Sequence, residues 1–338
     1  MLELTTDNLA GYLRGQGWIG PGPVQVELLA GGVSNLVFRV RTPERLFVLK
    51  QSCPQLRTQD AWYSDLDRVF REQEVMEVLH PVLPETVPQV LFSDRKNYVF
   101  AMSHAPEDAQ VWKQQLLSGA IDLAVGRRAG VVLGRMHEIT ACQPQLVEKF
   151  SDRNVFIQLR VDPFYRRIQV RLPDLATVVE PLIQHMLHTR QALCHGDFSP
   201  KNILTHAAGF TLVDYETAHL GDPTMDLGFF LSHLILKAIK LASLRERCFA
   251  LTKAFWEGYE SEVQFRRLAE LQARGIEHFA VCLLARVDGT SPVDYLTEER
   301  HKEAVRRIGR RIILRDRPRT WDAVPSIVAD EAQQGDLA

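Results

Sequence analysis

Over the first hundred positions the chain alternates apolar and polar residues; beyond them it repeats every three or four. Residues 24–29, 36–41 and 46–50 read as strands, and 87–91 with 97–102 complete a small antiparallel sheet. Two helices accompany it. Thr5-Thr6-Asp7 caps a short one carrying Leu9, Tyr12 and Leu13, and a second runs from about 65 to 80 with Leu66, Val69, Met76 and Leu79 facing inward. Polarity changes abruptly over Ser103–Asp108, which reads as a hinge. From residue 120 onward helical periodicity dominates, over 121–139, 159–170, 175–187, 225–240, 244–259 and 263–286. The strand-like runs there are 203–205 and 210–213, and the tail from 318 to 338 loses periodicity and is expected to fray. The pattern predicts an α+β, bilobal protein: a sheet-bearing N-lobe over 1–103 and a mostly helical C-lobe over 104–338.

Composition changes this picture little. The 338 residues are 46% hydrophobic and 24% charged, with a net charge of -2, ordinary values for a globular chain that makes no global claim on nucleic acid or membranes. Five cysteines without a Cys-x-x-Cys pair fit a reducing cytosol and argue against a zinc knuckle or disulfide scaffold. No basic-then-apolar leader opens the chain. The apolar run 227–242 is shorter than a span needs and is broken by His233, Lys237 and Lys240, so it reads as a buried helix.

The chemistry concentrates in Cys194-His195-Gly196-Asp197-Phe198-Ser199-Pro200-Lys201-Asn202 and in Leu212-Val213-Asp214-Tyr215-Glu216. An acid, an amide five residues on, and a second acid closing an apolar hairpin together meet the needs of phosphoryl transfer. Asp197 can receive or orient an attacking hydroxyl, Asn202 offers a neutral oxygen to a magnesium ion, and Asp214 offers the hard anionic oxygen such an ion prefers. His195 and Gly196 shape the turn that presents Asp197. Upstream, Ala30-Gly31-Gly32-Val33-Ser34-Asn35 lies between two strands, where Gly32 and Ser34 suit close approach to a phosphate, although Gly-Gly also simply turns hairpins. Lys50 ends a buried strand and needs an anionic partner there, ATP phosphates and a helix acid being the two candidates.

These segments, with Gly221-Asp222-Pro223-Thr224-Met225-Asp226-Leu227, resemble the aminoglycoside phosphotransferase and choline kinase superfamily, small-molecule kinases with a protein-kinase-like fold. Protein kinases themselves fit less well, for they carry Arg before the catalytic Asp and Phe-Gly after the metal Asp. The resemblance implies ATP and Mg2+ as cofactors, Asp197 as catalytic residue, and Asn202 and Asp214 as metal ligands. It also implies Lys50 paired with Glu72 (Glu74 as fallback), and adenine against backbone near Met102 and Ser103. Val48-Leu49-Lys50-Gln51, Pro54, Arg57, Trp62 and Asp65-Leu66-Asp67-Arg68 are similar to the first lobe of methylthioribose kinases, whose Asp-x-Glu metal motif would add Glu216. The catalytic loop departs from that group, which lacks an asparagine at position 202. By the same resemblance Asp226 is structural, either a cap like Asp222 or a support of the catalytic loop. His137 reads as a packing and hydrogen-bonding residue.

Residues 300–319 hold nine Lys or Arg against Glu303 and Asp316, opposite an apolar stripe of Ala304, Val305, Ile308 and Ile312. Such a face is either solvated or turned toward an oxygen-rich or anionic acceptor, as Arg166, Arg167 and Arg171 also could be. With the basic residues uninterrupted by aromatics, a nucleic-acid role is not expected. The sequence thus predicts a cytoplasmic, ATP-dependent kinase of a hydroxyl on a small metabolite, sugar-like or polyol rather than polycationic. The rival readings are a non-catalytic nucleotide-binding relative, which usually loses one of the four key residues, an aminoglycoside- or choline-type kinase, and a protein kinase, which would carry Ala-Pro-Glu.

Overall fold

Strand β3 (Leu46–Ser52) is buried along nearly its whole length because it has neighbours on both edges and packed side chains on both faces. It pairs antiparallel with β2 (Asn35–Arg41) and β5 (Val99–Ser103). With β1 (Gln25–Leu28) and β4 (Val90–Asp94) outside them, the order is β1-β2-β3-β5-β4. One face packs Phe38, Val40, Phe47 and Leu49 against Leu9 and Leu13 of helix α1 (Leu9–Gly15). Helix α2 (Arg68–Leu79) buries Val69, Val75, Met76 and Leu79. The computed structural model describes residues 1–29, 35–53 and 65–335. Gly32, Ser34, Pro54, Arg57 and Trp62 lie outside the described residues.

The chain parts into two units, Met1–Ala109 with His206–Thr217, and Gln110–Thr205 with Ala218–Ala338. In the first unit the returning segment joins through the Leu212 amide, which donates to the Thr86 carbonyl at 2.8 Å. Asp214, Tyr215 and Glu216 therefore belong to the unit that carries Lys50 and α2.

The second unit is built on helices Leu123–Thr140, Pro223–Lys240, Arg245–Glu260 and Leu268–Asp288. Gly130 lets Leu123–Thr140 lie against Arg245–Glu260, since a Cβ there would stand 2.0 Å from the Phe255 carbonyl oxygen. Pro223–Lys240 is buried for almost its entire length, and no single helix among the described residues is long and apolar enough to cross a membrane. Strands Ala192–Cys194 and His219–Gly221 pair antiparallel, as do Gln110–Val111 and Ile203–His206. Three of these strands escape the sequence pattern because two or three residues cannot display a period of two.

Two expectations need correction. The tail does not fray as a whole: Val324–Gln334 is a helix with Val324, Ile327, Val328 and Ala332 buried. Nor is the basic stretch a bank of uncompensated charge. Arg306 bonds Asp288 and Glu299, Arg307 bonds Glu331, Arg310 bonds Asp174, and Arg311 reaches Asp316, Asp330 and Glu331. Asp174, Asp288, Asp330 and Glu331 come from other parts of the chain, so a local count of charge could not find them.

Candidate active site

In the first unit, the register of β3 puts Lys50 opposite Val37 and Phe100, with its side chain buried. Its ammonium donates to both oxygens of Glu72, at 2.7 and 2.8 Å, and Glu72 is wholly buried. Glu74 turns instead to Arg95. Glu72 Oε1 also accepts the Asp214 amide at 3.1 Å, and Lys50 lies 3.8 Å from Asp214 Oδ1. Burial opposes charge on Lys50, but Glu72, Asp214 and Glu216 outweigh it and hold its pKa above the ordinary value. The same burial, helped by Asp214 and Glu216, pushes Glu72 upward against the pull of Lys50.

Asp214 sits at φ +73°, a left-handed backbone that a non-glycine residue adopts at some cost, and its carboxylate is partly exposed. Tyr215, in the place of a protein kinase's Phe, is fully buried. Glu216 Oε2 accepts from Asn35 at 3.1 Å and lies 3.4 Å from Arg68 Nε. Arg68 is itself completely buried, donating to the carbonyls of Asp65 and Cys53, each at 2.8 Å. Sequence reading used Arg68 for resemblance alone and missed this role. Three carboxylates thus stand against Lys50 and Arg68, a hard-oxygen surplus that suits a divalent cation. Met102, paired with Val48 and Val90 within the sheet, is buried, and the Ser103 amide donates to Gln89.

In the second unit, Asp197 is nearly inaccessible and its Oδ2 is crowded. Arg160 Nη2 reaches it at 2.7 Å, Lys201 Nζ at 2.8 Å and Asn202 Nδ2 at 3.0 Å. Among the described residues no hydrogen bond reaches Oδ1, which is left to accept from a ligand. Burial raises the Asp197 pKa, but Arg160 and then Lys201 hold it well below the usual carboxylate range, so the group is ionised. Asn202 spends its amide nitrogen on Asp197, leaving Oδ1 as its one atom for a metal ion.

The loop is set from beneath. Asp226 accepts the amides of His195 and Gly196 at 2.7 and 2.8 Å and meets His137 Nε2 at 3.3 Å, while His137 Nδ1 bonds the Tyr259 hydroxyl. Asp222, one turn earlier, caps Pro223–Lys240 through the Thr224 amide. Both oxygens of Asp226 are thereby used. His137, Cys194 and Asp226 come close enough to suggest a metal cluster, yet their bonds describe a loop clamp. Gly196 has φ +75°, and its carbonyl accepts Arg160 Nε at 2.7 Å, which accounts for glycine where protein kinases have arginine. Arg160 lies in a π-helical stretch, Ile157–Arg166, whose phase an α-helical reading of 159–170 cannot follow. Arg166 is spent on Asp162.

The family profile described as "Phosphotransferase enzyme family" matches residues 25–271. A methylthioribose kinase of Exiguobacterium sibiricum is 25% identical over 292 residues, covering 77% of this chain and 73% of that protein. A 4-hydroxytryptamine kinase of Psilocybe cyanescens is 24% identical over 270 residues, covering 69% and 74%. Among solved structures, an amicoumacin kinase in complex with AMP-PNP, Ca2+ and Ami superposes with a TM-score of 0.58 at 14% identity, covering 93% of this chain and 95% of that one, a likeness of fold. With its profile match spanning most of the sequence and its bilobal α+β architecture shared with a solved kinase, the chain belongs to the phosphotransferase enzyme family.

Proposed function

We propose that the protein is a small-molecule kinase that transfers the γ-phosphate of ATP to a hydroxyl of a sugar-like or polyol metabolite in the cytoplasm. The observation that carries this reading is the one-sided anchoring of Asp197, whose Oδ2 is filled by Arg160, Lys201 and Asn202 while Oδ1 remains for the acceptor. The acceptor oxygen forms a bond to the γ-phosphorus, the bond to the β–γ bridging oxygen breaks, and ADP leaves with the electron pair. The hydroxyl proton passes to Asp197 Oδ1 and then to solvent. A carboxylate held this acidic is a weak base, so it orients the hydroxyl first and takes the proton late, as suits a loose transition state.

Lys50, fixed by Glu72, binds the α- and β-phosphates. Gly32 and Ser34 fall to the same nucleotide, and Met102 to its adenine. Asp214 and Glu216 are the carboxylates for Mg2+, and Asn202 Oδ1 is a neutral oxygen for it. When bound, the metal neutralises developing phosphate charge. The likeness to methylthioribose kinases supports a ribose-like framework.

The test is ADP release over a panel of sugars, polyols, amino alcohols and aminoglycosides. Asp197→Asn is expected to lower turnover on the responding acceptor by on the order of 10²-fold or more, with ATP binding little changed. Near-normal turnover by that variant would overturn the assignment.

A further inference from the structure

Beyond Asp197 the second unit gathers cationic and donor groups without matching acids. Arg160, bonded to Asp197, lies over Phe164 and Phe229, with its guanidinium carbon 5.8 and 5.5 Å from the ring centres. Arg286 covers Phe164 as well, at 5.5 Å, and His233 meets the edge of Phe229 at 5.0 Å. One turn on, Lys237 donates to the His233 carbonyl at 3.0 Å and stands 5.2 Å from the Tyr295 ring, which Lys113 approaches at 5.6 Å. The chain of contacts runs from the reacting carboxylate, through aromatic rings, to a second cluster of cations.

What these groups lack is an anion. Lys113 is neutralised by Asp294 at 2.9 Å. Lys237 and Arg286, by contrast, have no carboxylate at ion-pair distance among the described residues; each donates to a backbone carbonyl, of His233 and of Ser291. Among the described residues, the buried atoms Arg286 Nε, His233 Nε2 and Tyr295 Oη have no hydrogen-bond partner. Lys237 and His233 are 2% and 6% exposed, so water does not compensate them, whereas Arg286 and Tyr295 are partly exposed as residues. Burial first, then Lys113 and Arg286, brings Lys237 down to about 7, with Cys248 and Asp294 opposing. A buried lysine whose charged form lacks an anion, beside a half-satisfied guanidinium, is costly to charge, and an anionic ligand would complete the arrangement.

We infer that the acceptor is an acid, a hydroxylated metabolite whose carboxylate or phosphate docks on Arg286 and Tyr295 above Lys237 while its hydroxyl meets Asp197. This rests on the kinase reading and narrows its acceptor to a class that a neutral sugar or an amine does not satisfy. Arg160 and Lys201 already serve Asp197; the second cluster is left for charge the acceptor itself brings.

The experiment measures ADP release with ribitol, ethanolamine, gluconate, glycerate and ribose 5-phosphate. Turnover is expected with at least one of the last three, the carboxylates and the phosphate ester separating the two sources of charge, and not with the first two. Comparable turnover of ribitol or ethanolamine, with none for the acids, would leave the kinase reading intact and overturn this one. Failure of all five, in a protein that still gains heat stability from Mg-ATP, also counts against an acidic acceptor.

Lys237→Met and Arg286→Gln should each raise KM for the acidic acceptor roughly 10- to 100-fold, with a smaller change in kcat and in KM for ATP. Lys237→Met should at the same time raise Tm, because it removes a buried amine whose charged form has no anionic partner; a structural lysine would lower it. If KM for ATP rises and KM for the acceptor does not, the cluster serves the nucleotide and the inference fails.

Discussion

Asp226 illustrates how much of this site depends on a residue that touches no reactant. Its two oxygens fix the amides of His195 and Gly196, and the loop they fix presents Asp197. Burial resists its ionisation, but the His137 bond, with His195 and the Gly196 amide, keeps its pKa below the ordinary carboxylate value. A carboxylate lowered on folding contributes stability that is present above its unfolded pKa, about 4, and is lost as pH falls through the folded value. Asp226→Asn should therefore cost about 2–4 kcal/mol in urea unfolding at pH 7, since its NH2 or its lost charge faces two N–H donors, and turnover should fall with it. The variant should also lose less stability than the parent between pH 4 and 2. A variant as stable as the parent at pH 7, with an unchanged acid limb, would remove Asp226 from this role. At this scale the sequence pointed to Asp197, Asn202 and Asp214 because the chemistry proposed for them forces residue types at fixed spacing. It gave no role to Arg160 or Arg286 and read Lys237 only as a break in an apolar run, because what lies near these residues in space leaves no mark on the pattern. Of the arginines it singled out over 300–319, Arg306, Arg307, Arg310 and Arg311 are held by acids distant in sequence.

Among the elements, strong periodicity carried the reading and close backbone approach escaped it. Helices 121–139, 225–240 and 244–259 emerged from their apolar stripes, within a few residues of Leu123–Thr140, Pro223–Lys240 and Arg245–Glu260. The π-helical phase around Arg160 did not, because a local change of hydrogen bonding leaves no mark on the apolar pattern. The Leu123–Thr140 and Arg245–Glu260 pair offers a test of sign. In an open helix, Gly→Ala gains roughly 1 kcal/mol of helix propensity. At Gly130 the added Cβ would stand 2.0 Å from the Phe255 oxygen and 2.7 Å from the Tyr259 amide nitrogen, both backbone atoms. Separating the helices to admit it costs about 1–3 kcal/mol or more, so the overpacking term wins. Gly130→Ala should lower Tm by several degrees in calorimetry, and an equal or higher Tm would show that the two helices part without cost.

On the scale of the whole molecule, the unit holding Lys50 is discontinuous in sequence. The returning segment His206–Thr217 brings it Asp214 and Glu216, an arrangement invisible to a reading that divides the chain once. Glu72, Asp214 and Glu216 thereby stand together against Lys50 and Arg68, and burial amplifies their repulsion. The fold carries this surplus at a cost, and on the proposed function a divalent cation bound with ATP would remove it, which links ligand binding to stability. A ligand at about 100 times its Kd adds roughly 2.7 kcal/mol to the unit that binds it. Mg-ATP should accordingly raise the first unfolding transition by several degrees, and ATP with EDTA by much less. Asp214→Ala takes away the most exposed of the three carboxylates and with it the metal-dependent share of the shift, while relieving repulsion in the ligand-free protein. The variant is thus expected to be at least as stable as the parent without nucleotide and to respond about equally to ATP with Mg2+ or with EDTA. Thermal scans of both proteins under the four conditions decide it: a full Mg-ATP shift in Asp214→Ala would place the metal on other oxygens, and a variant destabilised without nucleotide would mean that Asp214 supports the fold rather than straining it.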